Sequence, residues 1–141
     1  MKKYNNSDCI FCKIIAGTIP SKKVYEDKFV LAFSPIEQIS KGHTLIIPKK
    51  HYKDIFDIDE KELAKVMIAT KKIASATESA LGAKGINILH ASRPQAQQSV
   101  FHFHIHLVPR YANDGLDTWP KSNYKESNIE DINSKIRKTL I

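Results

Sequence analysis

Cysteine is nearly absent: Cys9 and Cys12 are the only two in 141 residues. In a reducing compartment a lone Cys-x-x-Cys is half of a metal site or a redox pair more often than a structural disulfide. No apolar run approaches the roughly 20 residues of a membrane span, and the polar residues 1–6 lack the apolar stretch of a secretory signal. A cytoplasmic protein with no membrane partner is expected. The glycine patterns of Rossmann and P-loop phosphate sites are missing, and no repeat, low-complexity segment or linker divides the chain. The formal charge is +7, yet the lysines fall in scattered pairs (Lys2-Lys3, Lys22-Lys23, Lys49-Lys50, Lys71-Lys72) with no basic stripe between aromatics. That pattern does not favour nucleic acid as the partner, whereas a phosphate-bearing small molecule satisfies the same charge.

What is present suits one soluble domain over residues 1–141, with a core at about 8–110 and a tail at 111–141. Hydrophobic residues make up 42% and charged residues 26%, both ordinary for a globular protein. Asp8 is placed to cap a short helix over 9–16 that Gly17 closes. Residues 23–26 and 29–33 read as strands joined by a tight turn at Asp27-Lys28, and 43–47 as a third strand, apolar on both faces and therefore central. Asp59 with Glu62 predicts the start of a long helix whose apolar stripe runs through Leu63, Val66, Met67, Thr70, Ile73, Thr77 and Leu81 to Gly82. A strand at 85–90, a polar loop and a strand at 99–109 predict an antiparallel hairpin. Ser127 and Glu130 predict a capped terminal helix. Together these describe an α+β domain with an antiparallel meander sheet, one long helix and short terminal helices.

Residues 99–109 carry the chemistry. His102, His104 and His106 alternate with Phe103 and Ile105, so in a strand the three imidazoles share one face while Phe101, Phe103, Ile105 and Leu107 fill the other. Neighbouring histidines on that face stand roughly 7 Å apart, too far for one ion to hold all three. The row therefore divides its work between metal ligation and a free nucleophile with its helpers.

Zinc favours four soft or borderline ligands in a tetrahedron, and the two thiolates supply half. His51 and one member of the row, His102 first among them, are candidates for the rest of a closed structural site. The alternative is two reduced cysteines packed as small hydrophobes. A catalytic zinc on His-x-His would need a further ligand that the sequence does not identify. A neutral imidazole is in turn a good nucleophile toward phosphorus, given an acceptor on its second nitrogen and donors around the phosphoryl oxygens. The polar run Gln97-Gln98-Ser99 just before the row offers such donors.

The run from Gln98 to Val108 resembles the His-φ-His-φ-His-φ-φ signature of the histidine triad (HIT) family of nucleotide hydrolases and transferases, φ being apolar. Ile10-Phe11-Cys12-Lys13-Ile14-Ile15, Leu31-Ala32-Phe33 and Gly42-His43-Thr44-Leu45-Ile46-Ile47-Pro48-Lys49-Lys50-His51 resemble further family segments in family order. The resemblance implies a HIT-like homodimer that binds a purine nucleotide or nucleotide conjugate and releases the nucleoside monophosphate through a nucleotidyl-histidine, as a phosphoramidase or dinucleoside polyphosphate hydrolase. It implies His104 as nucleophile, with His106 and His43 completing the catalytic set. Ile10, Phe11, Ile14, Phe33 and Leu45 match the walls around the base, and Gln98 and Ser99 match phosphate-contacting positions. Cys9, Cys12, His51 and His102 match the ligands of zinc-carrying bacterial-type members; no organic cofactor is implied.

Three positions depart from the pattern. Pro35 stands where many members have an aspartate that binds both ribose hydroxyls, with Glu37 the nearest acid. Ala91 replaces a common asparagine, leaving His90 and Ser92 as polar substitutes, and Gln97 replaces a glycine of the phosphate loop. These departures keep open a second role, that of a nucleotide-binding or interaction protein with little turnover. Trp119, in the tail, is expected either to pack under it or to reach a partner subunit.

Overall fold

A computed structural model describes residues 7–140; the opening residues 1–6, whose polarity argued against a signal peptide, lie outside the described residues. Helix α1 (Ile10–Ala16) is followed by strands β1 (Lys22–Glu26), β2 (Val30–Ser34) and β3 (Thr44–Pro48). Helix α2 (Glu60–Leu81), strand β4 (Gly85–Leu89), a 3₁₀ turn (Pro94–Ala96), strand β5 (Ile105–Arg110) and helix α3 (Ile129–Thr139) complete the order. The five strands form one sheet in the order β1-β2-β3-β5-β4, every neighbour antiparallel. This is the predicted α+β fold, with β3 at the centre.

Alternation along β2 and β3 builds the two sides of the sheet. Val30, Ala32 and Ile46 pack with Val66, Ala69 and Ile73 of α2, while Leu31, Phe33, Leu45 and Ile47 pack with Phe11, Cys12 and Ile14 of α1. The sheet is thus a middle layer between α2 and α1, which is why β2 and β3 are apolar on both faces. At the β1–β2 turn the Asp27 carboxylate accepts the Phe29 and Val30 N–H groups at 2.7 and 2.8 Å, an Asx turn that fixes the hairpin. Gly42 has φ +90°, and a Cβ there would lie 2.6 Å from Leu81 Cδ1; this tight corner leads directly into His43 and β3.

Several local expectations are corrected. The last strand begins at Ile105, not at residue 99, because residues 99–104 leave the ladder: the Phe103 N–H donates to the Tyr52 carbonyl at 2.6 Å. Phe103 still enters the α2-side core, but Phe101 is 49% exposed and is not a core residue. Helix α1 is capped by Cys9, whose Sγ accepts the Cys12 N–H at 3.4 Å, and not by Asp8. Asp59 precedes α2 without a side-chain capping bond; Glu62 instead turns into the fold, 3% exposed, beside Lys50 and Lys65. Met67 of the predicted stripe is 41% exposed, and Ala69 takes a core place. Asn128, not Ser127, caps α3. No residue of α3 is buried and Trp119 is 75% exposed, so it does not pack under the tail of its own chain.

Candidate active site and metal centre

His104 and His106 sit on the α1 side of the sheet, and their hydrogen bonds fix which nitrogen carries each proton. The His104 Nδ1–H donates to the His102 carbonyl at 2.7 Å, which leaves the lone pair on Nε2. Among the described residues no polar side-chain atom is both fully buried and unpartnered. The His104 Nε2, which makes no hydrogen bond among the described residues, is therefore open to the cavity that His104 lines. His43 Nδ1 accepts the Ile39 N–H at 3.1 Å, so its proton is on Nε2 and donates to His106 Nδ1 at 3.0 Å. That relay puts the His106 proton on Nε2. The His104 and His106 rings are 5.0 Å apart, and the edge of Phe11 meets His104 at 5.2 Å.

The cavity between α1 and the sheet has a volume of about 700 Å³. Ile10, Phe11, Ile14, Phe33, Leu45 and Ser99 all line it, together with His104 and His106. An apolar cleft of this size with two imidazoles at one end suits a mostly planar ligand bearing one reactive polar group. Two predicted residues lie behind the wall. His43 reaches the cavity only through His106, and the Gln98 side chain braces the loop, accepting from the Arg93 N–H at 2.6 Å and donating to the Lys53 and Val100 carbonyls at 2.6 and 3.1 Å.

Sequence reasoning did not single out Lys22, Ser34 or Gln38, which also line the cavity. Their signal was contiguity alone, since each lies within a few residues of Phe33 or of the break after α1. His90, noted only as a polar substitute, braces the site: its Nδ1–H donates to the His104 carbonyl at 2.9 Å and its ring stacks on Phe103 at 4.4 Å.

Behind Phe11, Cys9, Cys12, His51 and His102 bring four ligand atoms within 4.8 Å of one another. The His102 Nε2–H donates to the Pro48 carbonyl at 2.8 Å, turning the Nδ1 lone pair toward the sulfurs. His102 Nδ1 lies 3.4 Å from Cys9 Sγ, 3.6 Å from Cys12 Sγ and 3.2 Å from His51 Nδ1, and His51 Nδ1 lies 3.4 Å from Cys12 Sγ. With zinc–sulfur bonds of about 2.3 Å and zinc–nitrogen bonds of about 2.05 Å, tetrahedral edges are about 3.6 Å for sulfur to nitrogen and about 3.3 Å between nitrogens. The four measured edges match those of a tetrahedral metal such as zinc, the other two lie within 4.8 Å, and two imidazole lone pairs converging at 3.2 Å need a cation or a proton between them.

The HIT domain family model matches residues 16–113. The chain belongs to the HIT family. It is 44% identical over 137 residues to Protein hit of Bacillus subtilis, covering 94% of each. It is 36% identical over 135 residues to the adenosine 5′-monophosphoramidase hnt1 of Schizosaccharomyces pombe, covering 92% of this chain and 98% of that one. Among solved structures, SMU.412c of Streptococcus mutans superposes with a TM-score of 0.91 at 41% identity, over 98% of this chain and 88% of the other. A zinc-bound histidine triad family protein of Mycobacterium smegmatis gives a TM-score of 0.76 at 36% identity, over 82% and 84%. No helix among the described residues of this HIT protein is long and apolar enough to cross a membrane.

Burial holds the histidines of this HIT site neutral. Desolvation, reinforced by His104, His43 and His90, pushes His106 down to about 4, and desolvation lowers His43 and His104 as well. In the unfolded chain a histidine takes its proton near pH 6.5. Between those values the unfolded state holds the extra proton, so stability falls as the pH drops through the window and is untouched above it. Denaturant midpoints should decline from pH 7 to pH 5, and His106→Asn should remove part of that decline.

Proposed function

We propose that this chain is a nucleotidyl hydrolase that releases a nucleoside monophosphate from a phosphoramidate or polyphosphate leaving group by way of a nucleotidyl-His104 intermediate. The observation that supports it best is the fixed tautomer of His104, with Nδ1–H on the His102 carbonyl and the Nε2 lone pair open to an apolar cavity. In the first step Nε2 forms a bond to the α-phosphorus as the bond to the leaving nitrogen or oxygen breaks. The His106 Nε2–H, held by the relay from His43, is the proton source for the leaving group and a donor to the phosphoryl oxygens. Water then attacks phosphorus and gives a proton back to His106 Nε2, the N–P bond breaks, and both imidazoles are regenerated.

Ile10, Phe11, Ile14, Phe33 and Leu45 hold the base and Ser99 faces the phosphate, while Gln98 supports that loop from behind. That the fission yeast relative is an adenosine 5′-monophosphoramidase favours purine conjugates as substrates. Zinc on Cys9, Cys12, His51 and His102 would be closed and structural, offering no open position for water. The exposed Trp119, Tyr124, Ile129 and Leu140 of the tail are apolar surface that a second copy would cover. Incubation with adenosine 5′-phosphoramidate should release AMP and ammonia catalytically. Tight AMP binding without turnover across phosphoramidates and dinucleoside polyphosphates would replace this reading with that of a binding protein.

A further inference from the structure

No acid lines the cavity among the described residues. Among the described residues that line it the only fully charged side chain is Lys22, and the neutral polar ones include Ser34, Gln38 and Ser99; residues 1–6 contribute no Asp or Glu in sequence either. If the α-phosphate meets His104, just before β5, and His106 on it, and the base lies between α1 and the Phe33–Leu45 pair, the sugar must pass the end of β2. There the chain reads Phe33-Ser34-Pro35, with Lys22 opposite Ser34 on β1. Pro35 lines the cavity and offers neither a side-chain acceptor nor an N–H, and the exposed Glu37 does not line it.

A vicinal diol presents two donors, and sites that read it place a carboxylate there; with serine, glutamine and lysine along this stretch, no charged acceptor stands to bind both hydroxyls. Resting on the function proposed above, we infer that this site selects nucleotides without reading the sugar diol, so that 2′-deoxynucleotide conjugates are substrates on a par with ribonucleotide ones. Pro35 is the position that determines this. One hydroxyl shared with a neutral serine or glutamine changes affinity by no more than about tenfold. A carboxylate binding the pair produces far larger discrimination, because the analogue leaves a desolvated charge unpaired.

The test is kcat/KM for adenosine and 2′-deoxyadenosine 5′-phosphoramidates with the full-length protein, with Pro35→Asp and with Glu37→Gln. The inference expects the two substrates to agree within about fivefold in the unaltered protein and in Glu37→Gln, and Pro35→Asp to favour the ribose form at least about tenfold. A preference for ribose above about thirtyfold in the unaltered protein, one abolished by Glu37→Gln, or a folded Pro35→Asp protein with an unchanged ratio would overturn it while leaving the hydrolase reading intact. If neither conjugate is bound or cleaved, the hydrolase reading falls and this inference with it.

Discussion

His104→Ala should lower kcat for AMP release by at least about 10⁴-fold, since removing a nucleophile leaves only the binding and donor contributions of the site. AMP affinity should change by less than about tenfold, because the base walls on α1, β2 and β3 are untouched. The loss should appear in kcat and kcat/KM together, as expected for an interaction made only while the N–P bond forms. Hydrolysis assays and calorimetric AMP titration on the same preparation separate these effects. His43→Ala should be milder, since His43 acts through His106 and does not line the cavity; a loss of about 10 to 100-fold fits that indirect place.

The second large effect concerns the metal. The purified protein should contain one equivalent of zinc, and chelation or Cys12→Ser should lower stability by at least about 3 kcal/mol, a fall in Tm of roughly 10 °C. The cluster ties the N-cap of α1 to the loop after β3 and to the segment leading into β5, so its loss frees three chain segments at once. Activity should decline with the fold, because the His102 carbonyl that holds the His104 tautomer belongs to a residue of the same cluster. Metal analysis alongside scanning calorimetry checks both points. Full stability in the metal-free protein would leave Cys9 and Cys12 as packed thiols.

The sequence made the fold legible where period and burial agreed. The apolar run of β3 announced a central strand covered on both faces, and the Val66–Ile73–Thr77 spacing announced α2. Alternation also placed His104 and His106 on the face opposite Ile105 and Leu107. Where prediction failed, tertiary contacts had replaced a local rule. Tyr52 takes the Phe103 N–H and shortens β5, ion pairing with Lys50 and Lys65 draws the Glu62 carboxylate of the first turn of α2 away from a capping role, and a cysteine sulfur displaces Asp8 as the cap of α1.

At the site, residue type announced the imidazoles and thiols, but not the direction of a flexible side chain. Gln98 turns its amide into the loop backbone, an orientation that no spacing rule contains. The left-handed φ of +70° at Gln97 likewise belongs to the loop's path, in a region that costs a side-chain-bearing residue about 1–2 kcal/mol.

The most direct test is to quench the reaction with adenosine 5′-phosphoramidate in its first turnover and map the adduct by mass spectrometry under conditions that preserve N–P bonds. The account predicts one AMP on the peptide containing residues 102–106, carried by His104, absent from His104→Ala and disappearing as free AMP is released. An adduct on another residue, or undiminished turnover by His104→Ala, would contradict it.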